Sequence, residues 1–180
     1  MITGPVTVEL PHPTFRRGRT QLTLTPGVVD DDAREMFRLG YCHLLACALH
    51  EAAGWSFVVI DQRQLDGSWE WCHVGVTLNG LFLDITGVAS ASHPAEKLIA
   101  PEMVETGGPF RLRVIETVAE LCTRVFGLPV GTPDDWWRGE LSAAGTEVVC
   151  RFAEHLLSSP DVRLRMGGPR CVSPVRGEAA

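Results

Sequence analysis

The densest apolar segment runs from Cys42 to Ala53, Cys-His-Leu-Leu-Ala-Cys-Ala-Leu-His-Glu-Ala-Ala, which is helix-forming and apolar almost all round. Such a helix belongs in the middle of a domain. Gly54 stops it, and Trp55-Ser-Phe-Val-Val-Ile then reads as a strand, followed by a polar turn region from Asp61 to Ser68. Trp71 to Leu78 and Leu81 to Thr86 form two further strands. Asn79-Gly80 joins them, a dipeptide that suits a two-residue hairpin turn because both central positions need positive φ. Upstream, Asp30, Asp31 and Asp32 precede Ala33 to Leu39. Acidic side chains suit the positive end of a short helix there, and Gly40 ends it.

The first 29 residues carry Pro5, Pro11, Pro13, Pro26 and Gly27, with alternation only in Gln21-Leu-Thr-Leu-Thr. This predicts an irregular N-terminal arm with one short strand. Helices are expected at His93 to Ile99, at Val114 to Phe126, at Pro133 to Ala143 with Thr132 as cap, and at Thr146 to Leu157. The expected organisation is therefore an arm over 1–29, an α+β domain over 30–159 and a flexible tail over 160–180 rich in Arg, Gly and Pro. In the domain a central buried helix packs on a small antiparallel sheet, with additional C-terminal helices around them.

Composition agrees with one globular core: 180 residues, 45% hydrophobic and 21% charged. Sixteen Lys and Arg against 22 Asp and Glu leave a charge of -6, which disfavours general attraction to nucleic acid or an anionic membrane surface, so neither is expected as a partner. Arg16, Arg17 and Arg19, and the arginines of the tail, read as solvated surface. Lys97 is the only lysine in a chain rich in Arg, Ala, Gly and Pro, a bias expected of a GC-rich bacterial or phage genome. Met1-Ile-Thr-Gly-Pro-Val has no basic n-region or apolar h-region, so no secretory signal is expected. Six cysteines, several in apolar segments, suit buried thiols and a reducing cytoplasm better than a disulfide framework.

The hairpin carries the candidate chemistry. Pairing Leu78 with Leu81 places Val74, Val76, Leu78, Leu81, Leu83, Ile85 and Cys72 on one apolar face. The other face holds Trp71, His73, Gly75, Thr77, Phe82, Asp84 and Thr86. His73 then lies diagonal to Asp84 at about 7–8 Å between backbones, within side-chain reach, and Gly75 leaves the space between them open. A carboxylate meeting an imidazole fixes the histidine tautomer and stabilises its protonated form. Cys42 opens the buried helix, where unpaired amides and the helix dipole lower a thiol pKa; its own amide is a candidate oxyanion donor. Together the three groups have the parts for acyl transfer.

Gly40-Tyr-Cys42-His-Leu-Leu-Ala, His73-Val-Gly-Val and Leu83-Asp84-Ile-Thr-Gly resemble the core of papain-like cysteine hydrolases in the broad sense, which include transglutaminase-like and cell-wall amidase-like members. The resemblance covers residues 40 to 87. It implies Cys42 as nucleophile, His73 as general base and acid, and Asp84 as the residue that orients the imidazole, with no cofactor or metal and with a peptide or protein substrate. Such an enzyme would be a thiol protease, an amidase, a deamidase or an acyltransferase. The Gln that precedes the cysteine in the papain branch is absent from Arg34 to Leu39, and Gln21 could replace it only if the arm folds back.

Other residues are expected to be structural. Cys47, Cys122 and Cys150 read as core, and His43 and His50 lack a zinc-ligand spacing. Of Trp136 and Trp137, one is expected to pack and the other to offer a contact surface. The alternative function is a non-catalytic papain-like scaffold that binds a host protein.

Overall fold

The computed structural model describes residues 3–93, 98–104 and 108–167. The chain is α+β. Among the described residues a five-stranded antiparallel sheet, a two-stranded sheet and four further helices surround a central helix, and no helix is long and apolar enough to cross a membrane.

Strands β1 (Val6–Glu9) and β2 (Gln21–Leu24) pair antiparallel, Val8 opposite Leu22. They bury Val8, Leu10, Leu22 and Leu24 in the main core. The segment from Val6 to Leu24 thus packs on the core through a two-stranded ribbon, where an irregular arm with one short strand was expected. Helix α1 (Asp31–Arg38) starts where the acidic run predicts, with Asp30 accepting from the Ala33 amide. Helix α2 (Cys42–Ala53) has the expected bounds and ends at Gly54, whose φ of 67° is left-handed. Nine of its twelve residues are buried, as an apolar circumference requires.

Strands β3 (Ser56–Arg63), β4 (Trp69–Leu78), β5 (Leu81–Asp84), β6 (Gly87–Ser90) and β7 (Phe110–Ile115) form the larger sheet in the order β6-β5-β4-β3-β7. The Asn79-Gly80 turn has positive φ at both residues, and Leu78 pairs with Leu81 and Val76 with Leu83, the expected register. β5 ends earlier than expected, because the chain turns back at Asp84 to pair it with Gly87. β3 runs past Ile60 through the buried Asp61 and Gln62, where a polar turn was expected.

Four later expectations also change. The helix expected over Val114 to Phe126 is only Val118–Arg124 (α3), and its first residues, Val114 and Ile115, end strand β7. The helix expected over Pro133 to Ala143 is a short 3₁₀ turn, Trp136–Gly139. Helix α4 (Ala143–Ser158) starts earlier, capped by Ser142, and α5 (Pro160–Met166) occupies the start of the expected tail, with Val162 and Met166 buried. Residues 168–180 and most of the helix expected over His93 to Ile99 lie outside the described residues.

The two faces of the sheet differ from the simple alternation at one place. Between His73, opposite Ile60, and Trp71, opposite Asp61, Cys72 is an extra residue that bulges from the ladder. The bulge reverses the phase upstream of His73. Cys72 joins Val58, Ile60 and Phe82 in a second apolar cluster, while Trp71 packs on the main core beneath α2, the reverse of the alternating assignment. Leu98 and Ile99 cover that second cluster, so the non-core face expected to hold His73 and Asp84 is closed. Gly75 does not leave open space there either, because the Phe82 ring lies over it.

Candidate active site

Helix α2 places Cys42 at its first turn, and among the described residues no side chain caps that end. The first-turn amides are left for another acceptor. The bulged strand β4 supplies His73 and the end of β5 supplies Asp84, whose Oδ2 accepts a 2.9 Å hydrogen bond from His73 Nε2. Asp84 is itself fixed by the turn after it: its Oδ1 accepts from the Thr86 amide at 2.7 Å and from the Thr86 hydroxyl at 2.6 Å. Cys42 is 3% exposed, His73 0% and Asp84 3%.

Nδ1 of His73 is buried and has no hydrogen-bond partner among the described residues. The coupling of this ring to the Cys42 thiol is led by its charge. Such contacts often tighten only when substrate is bound. Burial alone would push the thiol up, but the His73 charge, and then His43, more than reverse this and bring it down to about 6. For His73, burial works against the charged ring, while the Cys42 thiolate and Asp84 raise it to about 10. Burial would raise Asp84, and the His73 hydrogen bond and charge lower it overall. Both directions favour a thiolate facing an imidazolium.

The structure adds a second imidazole that the sequence reading left as structural. His43 Nε2 donates to both carboxylate oxygens of Glu140, at 3.1 and 3.0 Å, and its Nδ1 is likewise buried without a hydrogen-bond partner among the described residues. Burial lowers this ring, and Cys42 and Glu140 outweigh burial to raise it to about 9. Trp136 stacks on it with ring centroids 5.8 Å apart and planes 3° apart. Of the tryptophan doublet, Trp137 is the one buried in the core.

Tyr41, His43, Trp71, Phe126, Trp136 and Glu140 line a cleft of about 480 Å³ beside the first turn of α2. The residues before and after Cys42 in sequence are thus in its wall. Pro11, His12 and Pro13 form its rim, held by the Tyr41 hydroxyl, which donates to the His12 carbonyl at 2.6 Å and accepts from the His12 amide at 2.8 Å. Gln21 is exposed and bonds to Glu9 on the β1–β2 ribbon, so folding back of the first residues does not bring it to the thiol.

The other cysteines are unlike Cys42. Burial pushes the Cys47 and Cys72 thiols up, Cys72 to about 12, and raises Cys122 and Cys150 as well. Cys150 is half-buried; Cys171 lies outside the described residues. Among the described residues no three His, Cys, Asp or Glu side chains gather as a metal site, and His50 donates to the Trp55 carbonyl. Arg17 and Arg19 share the carboxylate of the buried Glu35.

The chain matches no protein-family model, no curated protein and no solved structure.

Proposed function

We propose that this chain is a cysteine-dependent hydrolase or acyltransferase, built on a papain-like core, that acts on an amide, peptide or related acyl bond of a peptide or protein. Cys42 attacks the acyl carbon, His73 holds the thiol's proton as imidazolium, and Asp84 fixes that ring. The amide of Cys42 at the uncapped start of α2 is placed to receive the oxyanion. Deamidation or crosslinking of a protein glutamine uses the same thiolate.

One observation carries the reading. Of the five described cysteines, only Cys42 has its thiol brought down, at a helix N-terminus and beside a buried imidazole with its own carboxylate. Perturbed nucleophile, base and orienting acid in one place are what a catalytic site requires. The free thiols also support our placing the protein in a reducing cytoplasm.

The test is the rate of iodoacetamide alkylation of Cys42 against pH, followed by intact mass and peptide mapping. The expected profile rises through pH 6 and is flat by pH 7.5. A midpoint at the ordinary thiol value, or no reaction in the folded protein, would instead support a non-catalytic scaffold.

A further inference from the structure

Two imidazole–carboxylate pairs flank one thiol, and they differ in where they sit. His73–Asp84 is sealed, with side chains 0% and 3% exposed, and the His73 ring packs against Phe82 of the second apolar cluster. His43–Glu140 is on the open side, with side chains 9% and 25% exposed, in the wall of the aromatic cleft. A substrate entering by the cleft meets His43 first. His43 thus borders the cleft next to Cys42 in the chain, whereas His73 comes from strand β4 of the sheet.

We propose that the acid and base duties are divided: His43, held by Glu140, protonates the leaving group and later deprotonates the attacking water, and His73–Asp84 keeps Cys42 ionised. This rests on the acyl-transfer reading above and assigns the second half of its proton traffic.

The steps balance. The Cys42 thiolate adds to the acyl carbon and the carbonyl electron pair moves to oxygen. The pair returns, the bond from carbon to the leaving oxygen or nitrogen breaks, and that atom takes the proton from His43 Nδ1. Nε2 remains committed to Glu140. Water then attacks the thioester and gives its proton to the neutral His43; the C–S bond breaks and the thiolate returns beside an imidazolium. The net reaction is hydrolysis, with no oxidant or further reactant.

The stacking of Trp136 at 3° and the neighbouring Phe126 ring, 5.3 Å away, keep the His43 ring in one plane. Fixed orientation is what proton delivery to one atom needs. The arrangement favours substrates whose leaving group must be protonated, such as amines and alkyl alcohols, over activated esters that leave as anions.

Acetylation of Cys42 by p-nitrophenyl acetate and by phenyl acetate separates the roles. In the unaltered protein both esters acetylate Cys42, detected by mass. In His43→Gln the ratio of the p-nitrophenyl rate to the phenyl rate rises by about tenfold or more, because only the poorer leaving group depends strongly on an acid. Glu140→Gln, which changes a partly exposed side chain, shifts the ratio in the same direction and decides the matter if His43→Gln does not fold. In His73→Gln both rates fall together, with iodoacetamide alkylation at pH 7. A parallel fall for both esters in His43→Gln and Glu140→Gln overturns the division of roles and leaves His43 a structural neighbour. Absence of acetyl-Cys42 in the unaltered protein overturns the acyl-transfer reading and this inference with it.

Discussion

The ring of Phe82 lies against the backbone of Gly75. A Cβ on Gly75 would sit 2.6 Å from two of its ring atoms and 2.7 Å from the Leu83 carbonyl oxygen. Phe82 in turn packs against His73, ring centroids 6.0 Å apart, so glycine at 75 lets an aromatic ring support the imidazole across the strands.

Gly75→Ala therefore destabilises the protein, although alanine is acceptable in a strand. Overpacking of this kind costs about 1–3 kcal/mol, and the carbonyl contact keeps the cost at the upper end because backbone cannot rotate away. Urea denaturation measures it. A variant as stable as the parent would mean that the Phe82 ring does not occupy this place.

Asp84→Asn keeps the shape of the side chain but removes the charge that supports the His73 imidazolium. His73 falls and the Cys42 thiol rises toward its ordinary value near 8.5. At pH 7 the thiolate share then drops from about nine-tenths to a few per cent, and iodoacetamide alkylation slows by about 10- to 30-fold. An unchanged alkylation profile would show that Asp84 does not act through the ring.

How much of this was legible follows from the range over which each signal acts. Asn79-Gly80 and the apolar run from Cys42 to Ala53 are local, and they fixed the hairpin register and α2 in advance. The bulge at Cys72 is a local backbone choice without a residue signature, and it moved Trp71 to the cleft and Cys72 away from the main core. β7 was hidden because it is an edge strand whose Arg111 and Arg113 break the apolar alternation; their partner is Asp61, some fifty positions earlier. Glu140 lies 97 positions from His43, beyond any spacing argument. The one available hint was the adjacency of Cys42 and His43 at a helix start, since neighbouring first-turn residues point in different directions and can flank one opening.

Asp61 is 1% exposed and holds two arginines of the edge strand, Arg111 Nε at 2.8 Å and Arg113 Nη2 at 2.7 Å. Burial would raise its carboxyl, but the hydrogen bonds from Arg113 and Arg111 hold it below the usual carboxylate range. Its contribution to stability is thus present above the unfolded value near 3.9 and is lost as pH falls through the depressed folded value. Asp61→Ala costs about 2–3 kcal/mol, between an exposed pair and a wholly buried one, because both guanidinium groups are partly solvated. It also loosens β7, and faster amide exchange at Arg111 and Arg113 in the variant would locate the effect. Uniform exchange across the sheet would count against a role in pinning the edge.

Cys42→Ala tests the thiolate's hold on both rings. The Cys42 thiolate is the largest influence raising His73 and a leading one for His43, so in the variant both imidazoles titrate lower than about 10 and about 9, as NMR of the two rings will show. The stability consequence has a definite sign. A histidine raised from about 6.5 to about 10 contributes stability that is fully present below 6.5 and is lost as pH rises through 10. The unaltered protein should therefore lose melting temperature between pH 8 and 10, and Cys42→Ala should lose less over that interval because its rings have already released much of their charge. The cavity left by one sulfur is small, so both proteins fold cooperatively at pH 7. Identical alkaline limbs in the two proteins, together with unshifted ring titrations, would mean that the thiol and the imidazoles are not coupled and that Cys42 is one more buried cysteine.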